Sequence, residues 1–227
     1  MATADIVRYP YAMIISHGRK YIFVHIPKTG GTALSLALEG RAMKDDILIG
    51  GTPKARQRRD RLKGVQTSGR MWKHSRLCDI YGLVTQAEVE MFFTFTLVRN
   101  PWDRMVSYYH WLQDQDFVHP AVALAKRLDF SGFINDVQTE AAMRAAPYGR
   151  YMQDQSGTER CDLFIRLEHL QDDIAPLEDH LGFSLGDIPV VNSSKRDADY
   201  RSYYSDADVD VLADICAKDI RRFGYVF

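Results

Sequence analysis

The stretch FVHIPKTGGTALSLAL, residues 23–38, constrains the fold more than any other part of this sequence. The run RKYIFVHI is short, β-branched and aromatic, and apolar on both faces, as strands at the centre of a parallel sheet are. It breaks at Pro27, crosses Lys28, Thr29, Gly30, Gly31 and Thr32, and resumes as a helix from Ala33 to Glu39. Leu34, Ala37 and Leu38 fall at helical spacing, and Gly40 is the stop. A strand that turns through glycines into a helix presents backbone N–H groups at the positive helix pole, which is an anion site and most often a phosphate site. Gly30 and Gly31 permit positive φ and close approach. Thr29 and Thr32 add hydroxyl donors, and Lys28 adds a point charge. Taken alone, the turn reads equally well as a tight strand–helix connection. The usual nucleotide-triphosphatase loop puts its lysine after the last glycine, beside Ser or Thr. Lys28 precedes the glycines, so that pattern fails and its magnesium-ligand position is lost.

A second junction shifts the balance. FFTFTLV, Phe92 to Val98, is another central strand, and it delivers Arg99 to a helix start where Asn100 can cap, Pro101 suits the first position and Asp103 sits in the first turn. The helix carries WDRMVSYYHWLQD. In a parallel sheet, ligands gather at the carboxyl ends of the strands. Arg99 and the Lys28 loop therefore share one edge, and two separate grips imply a ligand with two separated phosphate-like groups.

The rest of the chain continues the alternation. Residues 41–76 are polar and irregular, and LVTQAEVEM is a short helix entered at Thr85. A helical middle runs from about Ala121 to Met152, broken near Pro147 and Gly149. CDLFIRLEHL is a third strand, QDDIAPLEDHLGF a helix and VVNSSKRDADYRSYY a loop. The last helix starts near Ser205, with Val209, Leu212, Cys216, Ile220 and Phe223 at core spacing, and ends at Gly224. Strands alternating with helices predict an α/β fold, a central parallel sheet flanked by helices in three layers. No repeat or linker divides it, so residues 1–227 read as one domain.

The totals narrow the function classes. A formal charge of −1 argues against generic nucleic-acid binding. Cys78, Cys161 and Cys216 are odd in number and widely spaced, which fits a reducing compartment better than a disulfide framework or a zinc site. There is no metal-ligand cluster, no signal-like start and no stretch long enough to span a membrane. The expectation is a cytoplasmic protein without a metal.

FVHIPKTGGT together with LVRNPWDRMVSYY resembles the sulfotransferases that use 3′-phosphoadenosine-5′-phosphosulfate (PAPS), most of all the carbohydrate branch that includes heparan sulfate 2-O-sulfotransferase and its bacterial relatives. The likeness extends to WKHS, LFIRLEHL and the C-terminal VNSSKRDADYRSYYSDADVDVLADICAKDIRRFGY. The resemblance implies a P-loop-like fold in which Lys28 to Thr32 cradle the 5′-phosphosulfate. It implies that Arg99 and Ser107 hold the 3′-phosphate, the group that separates this donor from ATP. Ser107 lies nearly two turns into its helix, so the nucleotide would have to run alongside. NSSKR, Asn192 to Arg196, corresponds to a segment that closes over the nucleotide, with Lys195 or Arg196 as a further phosphate contact.

Sulfuryl transfer is an in-line displacement that asks the protein for positioning and for charge stabilisation on the leaving group. Lys28 can neutralise the oxygen that bridges phosphorus and sulfur, and no metal is needed for that. A hydroxyl acceptor makes a general base useful. His74, in MWKHSRL, sits where the 2-O-sulfotransferase branch carries its catalytic histidine, and it is assigned that role; a surface histidine in a basic segment is the plain alternative. His25 is expected to pack within its strand, and His110 to approach the cleft or serve an aromatic face. His169 and His180 have no link to the site, and His17 and His119 fall in loops.

Lys54 to Lys63 could steer an anionic glycan or be a solvated loop. Trp72, Trp102 and Trp111 could stack on a sugar, the last two reading better as core. Gln153 and Gln155 are candidates for an acceptor pocket. The expected acceptor is a glycan, glycolipid precursor or small metabolite. A nucleotide-dependent phosphotransferase on the same sheet and a nucleotide-binding module without catalysis are the alternatives.

Overall fold

The computed structural model describes residues 12–188 and 196–227. Five strands form one sheet: β1 (Ala12–Ser16), β2 (Tyr21–Val24), β3 (Ile47–Gly50), β4 (Phe93–Val98) and β5 (Leu163–Arg166). Their order is β3-β1-β2-β4-β5. The predicted strands β2, β4 and β5 are mutually parallel, in register Phe23↔Phe95 and Phe95↔Leu163. The sheet is nevertheless mixed. AMIIS folds back on β2 as an antiparallel hairpin, and ILIG from the polar 41–76 region pairs antiparallel with β1. These two strands extend the parallel centre outward on the side of β2 away from β4.

Twelve helices accompany the sheet among the described residues: α1 (Gly31–Gly40), α2 (Pro53–Arg58), α3 (Gln86–Met91), α4 (Pro101–Gln113), α5 (Pro120–Arg127), α6 (Phe130–Ile134), α7 (Val137–Arg144), α8 (Tyr148–Tyr151), α9 (Leu170–Asp173), α10 (Ala175–Leu181), α11 (Asp206–Ile215) and α12 (Ala217–Phe223). The segment read as one final helix breaks at Cys216, which is non-helical at the junction of α11 and α12. The QDDIAPLEDHLGF helix is likewise interrupted at Ile174, just ahead of the proline at the start of α10. Among the described residues no helix is long and apolar enough to cross a membrane.

Alternation along each strand decides which helices lie where. Ala12, Ile14, Tyr21, Phe23, Phe95, Leu97 and Ile165 face Leu34 and Leu38 of α1 and Leu177 of α10. Met13, Ile15, Ile22 and Val24 face the opposite layer, where Leu77, Ile80 and Val89 meet them. A further cluster joins α4, α5, α6 and α11 through Met105, Tyr109, Leu124, Phe133 and Leu212. The consequence for function is geometric. The parallel pairing of β2 with β4 sets the start of α1 and the start of α4 side by side at one edge.

Candidate active site

The loop from β2 to α1 is shaped by three residues in different ways. Lys28 itself takes a left-handed backbone, φ 66°, which the sequence does not announce and which is strained for a residue with a Cβ. Gly30 also has positive φ, at 80°, and a Cβ there would stand 2.6 Å from a methyl of Leu167. Gly31 needs no unusual φ, contrary to expectation. It already belongs to α1, and it must be glycine because a Cβ would lie 2.5 Å from the His25 ring. No side chain caps α1, so the first-turn N–H groups at its positive pole are left to the loop and to whatever the loop binds. Thr29 is buried and donates its hydroxyl proton to the Ile26 carbonyl at 2.9 Å, which spends it on the loop rather than on a ligand. Thr32 is buried in the first turn of α1.

The β4–α4 junction follows the sequence closely. Asn100 Oδ1 accepts from the Trp102 N–H at 3.0 Å, and Pro101 opens the helix. Arg99 donates through Nε and Nη2 to one oxygen of Asp103, at 2.8 and 2.5 Å, and reaches the Lys28 carbonyl at 3.4 Å. Arg196 donates to the other oxygen of Asp103 at 2.5 Å. Asp103 thus bridges two guanidiniums that are both largely buried. The Arg196 Nη1 atom is buried without a hydrogen-bond partner among the described residues. Ser107 is buried one turn beyond Asp103.

The Lys28 ammonium lies 5.6 Å from the centre of the Trp111 ring. Burial, with Arg99, Arg196 and Lys73 nearby, pushes its pKa down to about 8, and Asp114 only partly opposes this. Excess positive charge, incompletely neutralised, is the electrostatic signature of a site built for an anion.

His74 comes from a tight turn that packs against His25, with ring centres 4.8 Å apart. The Ser75 hydroxyl holds that turn, donating to Arg70 and Trp72 carbonyls at 2.8 Å and accepting from the Trp72 N–H at 2.9 Å, so Ser75 is occupied structurally. His74 Nδ1 lies 2.8 Å from the His25 carbonyl oxygen. A carbonyl can only accept, so Nδ1 carries the proton and Nε2 keeps its lone pair. Protein surrounds the ring densely, and burial is the main cause that holds its pKa down to about 3; Lys73, Arg104 and Lys28 add to it and the bond to His25 opposes it. His25 is buried and neutral for the same reasons, with burial first.

Lys28, Thr29, Gly30, Gly31, Thr32, Arg99, Ser107, Arg196 and His74 therefore belong to one edge of the sheet, while Lys195 lies outside the described residues. The other candidates part company. Trp102 is core, as expected, whereas Trp111 is half-buried beneath the Lys28 ammonium. His110 packs edge-on to Tyr203. His180 stacks on Phe93, and His17 lies 3.5 Å from Glu88. The Lys54–Lys63 run is α2 and a following turn rather than a free loop. Lys54, Arg58 and Arg61 donate to the carbonyls of Glu39, Asp46 and Lys44. Gln155 is bonded to Ser68 and Gln153 pairs with Glu159, so both support the 151–160 turn.

Sequence reasoning missed Arg104. Its Nε donates to the Pro27 carbonyl at 3.1 Å and its guanidinium lies 4.9 Å from the centre of the Tyr148 ring. The Tyr148 hydroxyl in turn donates to the Arg99 carbonyl at 2.5 Å. Arg104 and Tyr148 thereby tie the two junctions together. A signal existed: a cation in the first turn of a helix opposes the macrodipole and calls for a reason.

A lysine-bearing strand–loop–helix, a second cationic junction beside it and a neutral histidine thus meet on one α/β sheet. The chain belongs to the sulfotransferase family, whose model matches residues 11–226. Among solved structures it is similar to mouse sulfotransferase SULT7A1 complexed with PAP, at 15% identity, over 88% of this chain and 83% of that one, with a TM-score of 0.44. No curated protein sequence matches it.

Proposed function

We propose that the protein transfers the sulfuryl group of PAPS to a hydroxyl of a glycan, glycolipid precursor or small metabolite. The observation that carries this reading is the pairing of Arg99 and Arg196 on the single carboxylate of Asp103, with Lys28 near both guanidiniums and the neutral His74 bonded to the His25 carbonyl just ahead of the loop. In this reading the Lys28–Thr32 loop and the open pole of α1 hold the 5′-phosphosulfate. Arg99, Ser107, Arg196 and Lys195 hold the 3′-phosphate, which takes over from Asp103 as the guanidiniums' partner.

The acceptor oxygen attacks sulfur, the bond from sulfur to the bridging oxygen breaks, and the hydroxyl proton passes to His74 Nε2. Lys28 stabilises the negative charge that develops on the bridging oxygen, where a preorganised cation in a water-poor site acts most strongly. With a pKa of about 3 His74 is a weak base in the free protein. The donor's phosphates offset the cations that depress it, so donor binding raises its basicity before transfer.

The test is formation of 3′-phosphoadenosine-5′-phosphate from PAPS in the presence of a hydroxyl-acceptor panel. Acceptor-dependent turnover that His74→Ala abolishes while nucleotide affinity persists supports the reading. Turnover with ATP, or turnover indifferent to His74, contradicts it.

A further inference from the structure

Helix α4 has a second working flank. At 3.6 residues per turn, Asp103, Ser107 and His110 share one side, while Pro101, Arg104, Met105 and Tyr108 share another. Beneath the second side lies a cavity of 290 Å³, at the small end of ligand pockets. Pro27 and Lys28 form one wall, and Thr139, Ala142 and Met143 of α7 form another. Lys28, whose ammonium rests against Trp111 between the two flanks, is thus shared by the cation cluster and the cavity.

Most of the cavity wall is apolar, with Leu124, Phe133, Tyr148 and Tyr151 completing it. Its charged residues besides Lys28 are committed to protein groups. Arg104 donates to the Pro27 carbonyl and covers the Tyr148 ring, and the Asp219 carboxylate accepts from the Tyr148 N–H at 3.1 Å. His119 is engaged as the cap of α5. Among the buried side-chain polar atoms of the wall, one is left over. Thr139 is buried at 5% exposure, and its hydroxyl has no hydrogen-bond partner among the described residues, a costly arrangement for an interior group unless something else fills the space.

Resting on the sulfuryl-transfer reading above, we infer that this cavity is the acceptor subsite and that the acceptor is amphipathic: an uncharged apolar body occupies the cavity, one polar atom of it meets the Thr139 hydroxyl, and the reacting hydroxyl stands at the Lys28 end. A polyanionic glycan does not fit such a wall, because beyond Lys28 its desolvated charges would find no uncommitted cation there.

The test is calorimetric titration of the protein saturated with 3′-phosphoadenosine-5′-phosphate, using methyl, butyl and octyl β-glucosides in turn and a sulfated disaccharide as the contrast. Affinity rising about two- to fourfold per methylene until the cavity is full is the expected result. Ala142→Trp, on the exposed side of α7, should erase that rise while leaving nucleotide affinity within twofold of wild type. A flat response along the series overturns the inference, as does tight binding of the sulfated disaccharide lost in Arg59→Ala, which would move the acceptor to the groove lined by Arg59, Lys63, Trp72 and Lys73. Alkyl glucosides that bind only the nucleotide-free protein also overturn it, because the cavity would then belong to the donor. Failure of the bisphosphate itself to bind would instead sink the underlying reading.

Discussion

The two strand–helix junctions solve the same problem in opposite ways. At β4–α4 the chain supplies everything: Asn100 caps the helix, Pro101 fits its first position, and Asp103 neutralises Arg99. At β2–α1 it supplies almost nothing. The helix has no side-chain cap, Lys28 holds a strained backbone, and its ammonium is short of negative charge. A self-sufficient junction is a scaffold that lends one cation to a ligand. An incomplete junction is one whose missing part arrives with the ligand, and strain kept at such a place points to function.

The comparison can be broken most decisively at Lys28. Lys28→Ala should cost about a thousandfold in turnover, on the scale of removing one preorganised charge-stabilising donor, with a much smaller loss in bisphosphate affinity. Steady-state kinetics beside calorimetry would check it; equal losses in both would make Lys28 a mere anchor. Asp103→Asn should act in the other direction on binding. It leaves Arg99 and Arg196 facing each other unneutralised, so the free protein should melt several degrees lower, and the bisphosphate should raise Tm more in the variant than in wild type. Identical ligand-induced shifts would mean that Asp103 and the 3′-phosphate do not compete.

The pH dependence sharpens the same contrast. Lys28 must be protonated to act, so kcat/KM should fall as pH rises through about 8, and kcat should hold to higher pH because bound phosphates favour the charged lysine. His74 is depressed from an ordinary 6.5 to about 3, so the unfolded chain binds the extra proton first. Folding stability should therefore decline as pH drops from 6.5 toward 3, and bisphosphate should shift the His74 titration upward by NMR. The smallest effect belongs to the self-sufficient junction. Asn100→Ala should cost about 1 kcal/mol in denaturant unfolding, the usual worth of an N-cap, with little change in ligand affinity.

How far the sequence reads through to this picture depends on where each residue's partners lie. The central strands, the Asn100–Pro101 start and the edge shared by Lys28 and Arg99 follow from patterns within a few residues of each other. β1 and β3 do not, because AMIIS becomes a strand through antiparallel pairing with β2 and ILIG through pairing with AMIIS, and ILIG sits within a polar stretch. Gly31 is legible as a glycine that matters, yet its reason, the His25 ring against it, is tertiary. Thr139 is an ordinary letter in a helical segment until folding brings it to the cavity wall, and Arg104, a first-turn cation that asks for a reason, finds that reason only in the tertiary contacts to Pro27 and Tyr148. The tethering of Lys54, Arg58 and Arg61 to backbone carbonyls was equally invisible, because a carbonyl acceptor leaves no trace in residue type.

The central claim is that the two junctions jointly grip a nucleotide with separated 3′ and 5′ charges. Calorimetric titration with 3′-phosphoadenosine-5′-phosphate beside ATP and AMP tests it most directly, with Arg99→Ala as the control. The account predicts tight binding of the bisphosphate alone, with its advantage over AMP abolished in Arg99→Ala. Preference for ATP, or equal affinity for AMP and the bisphosphate in the wild-type protein, would contradict it.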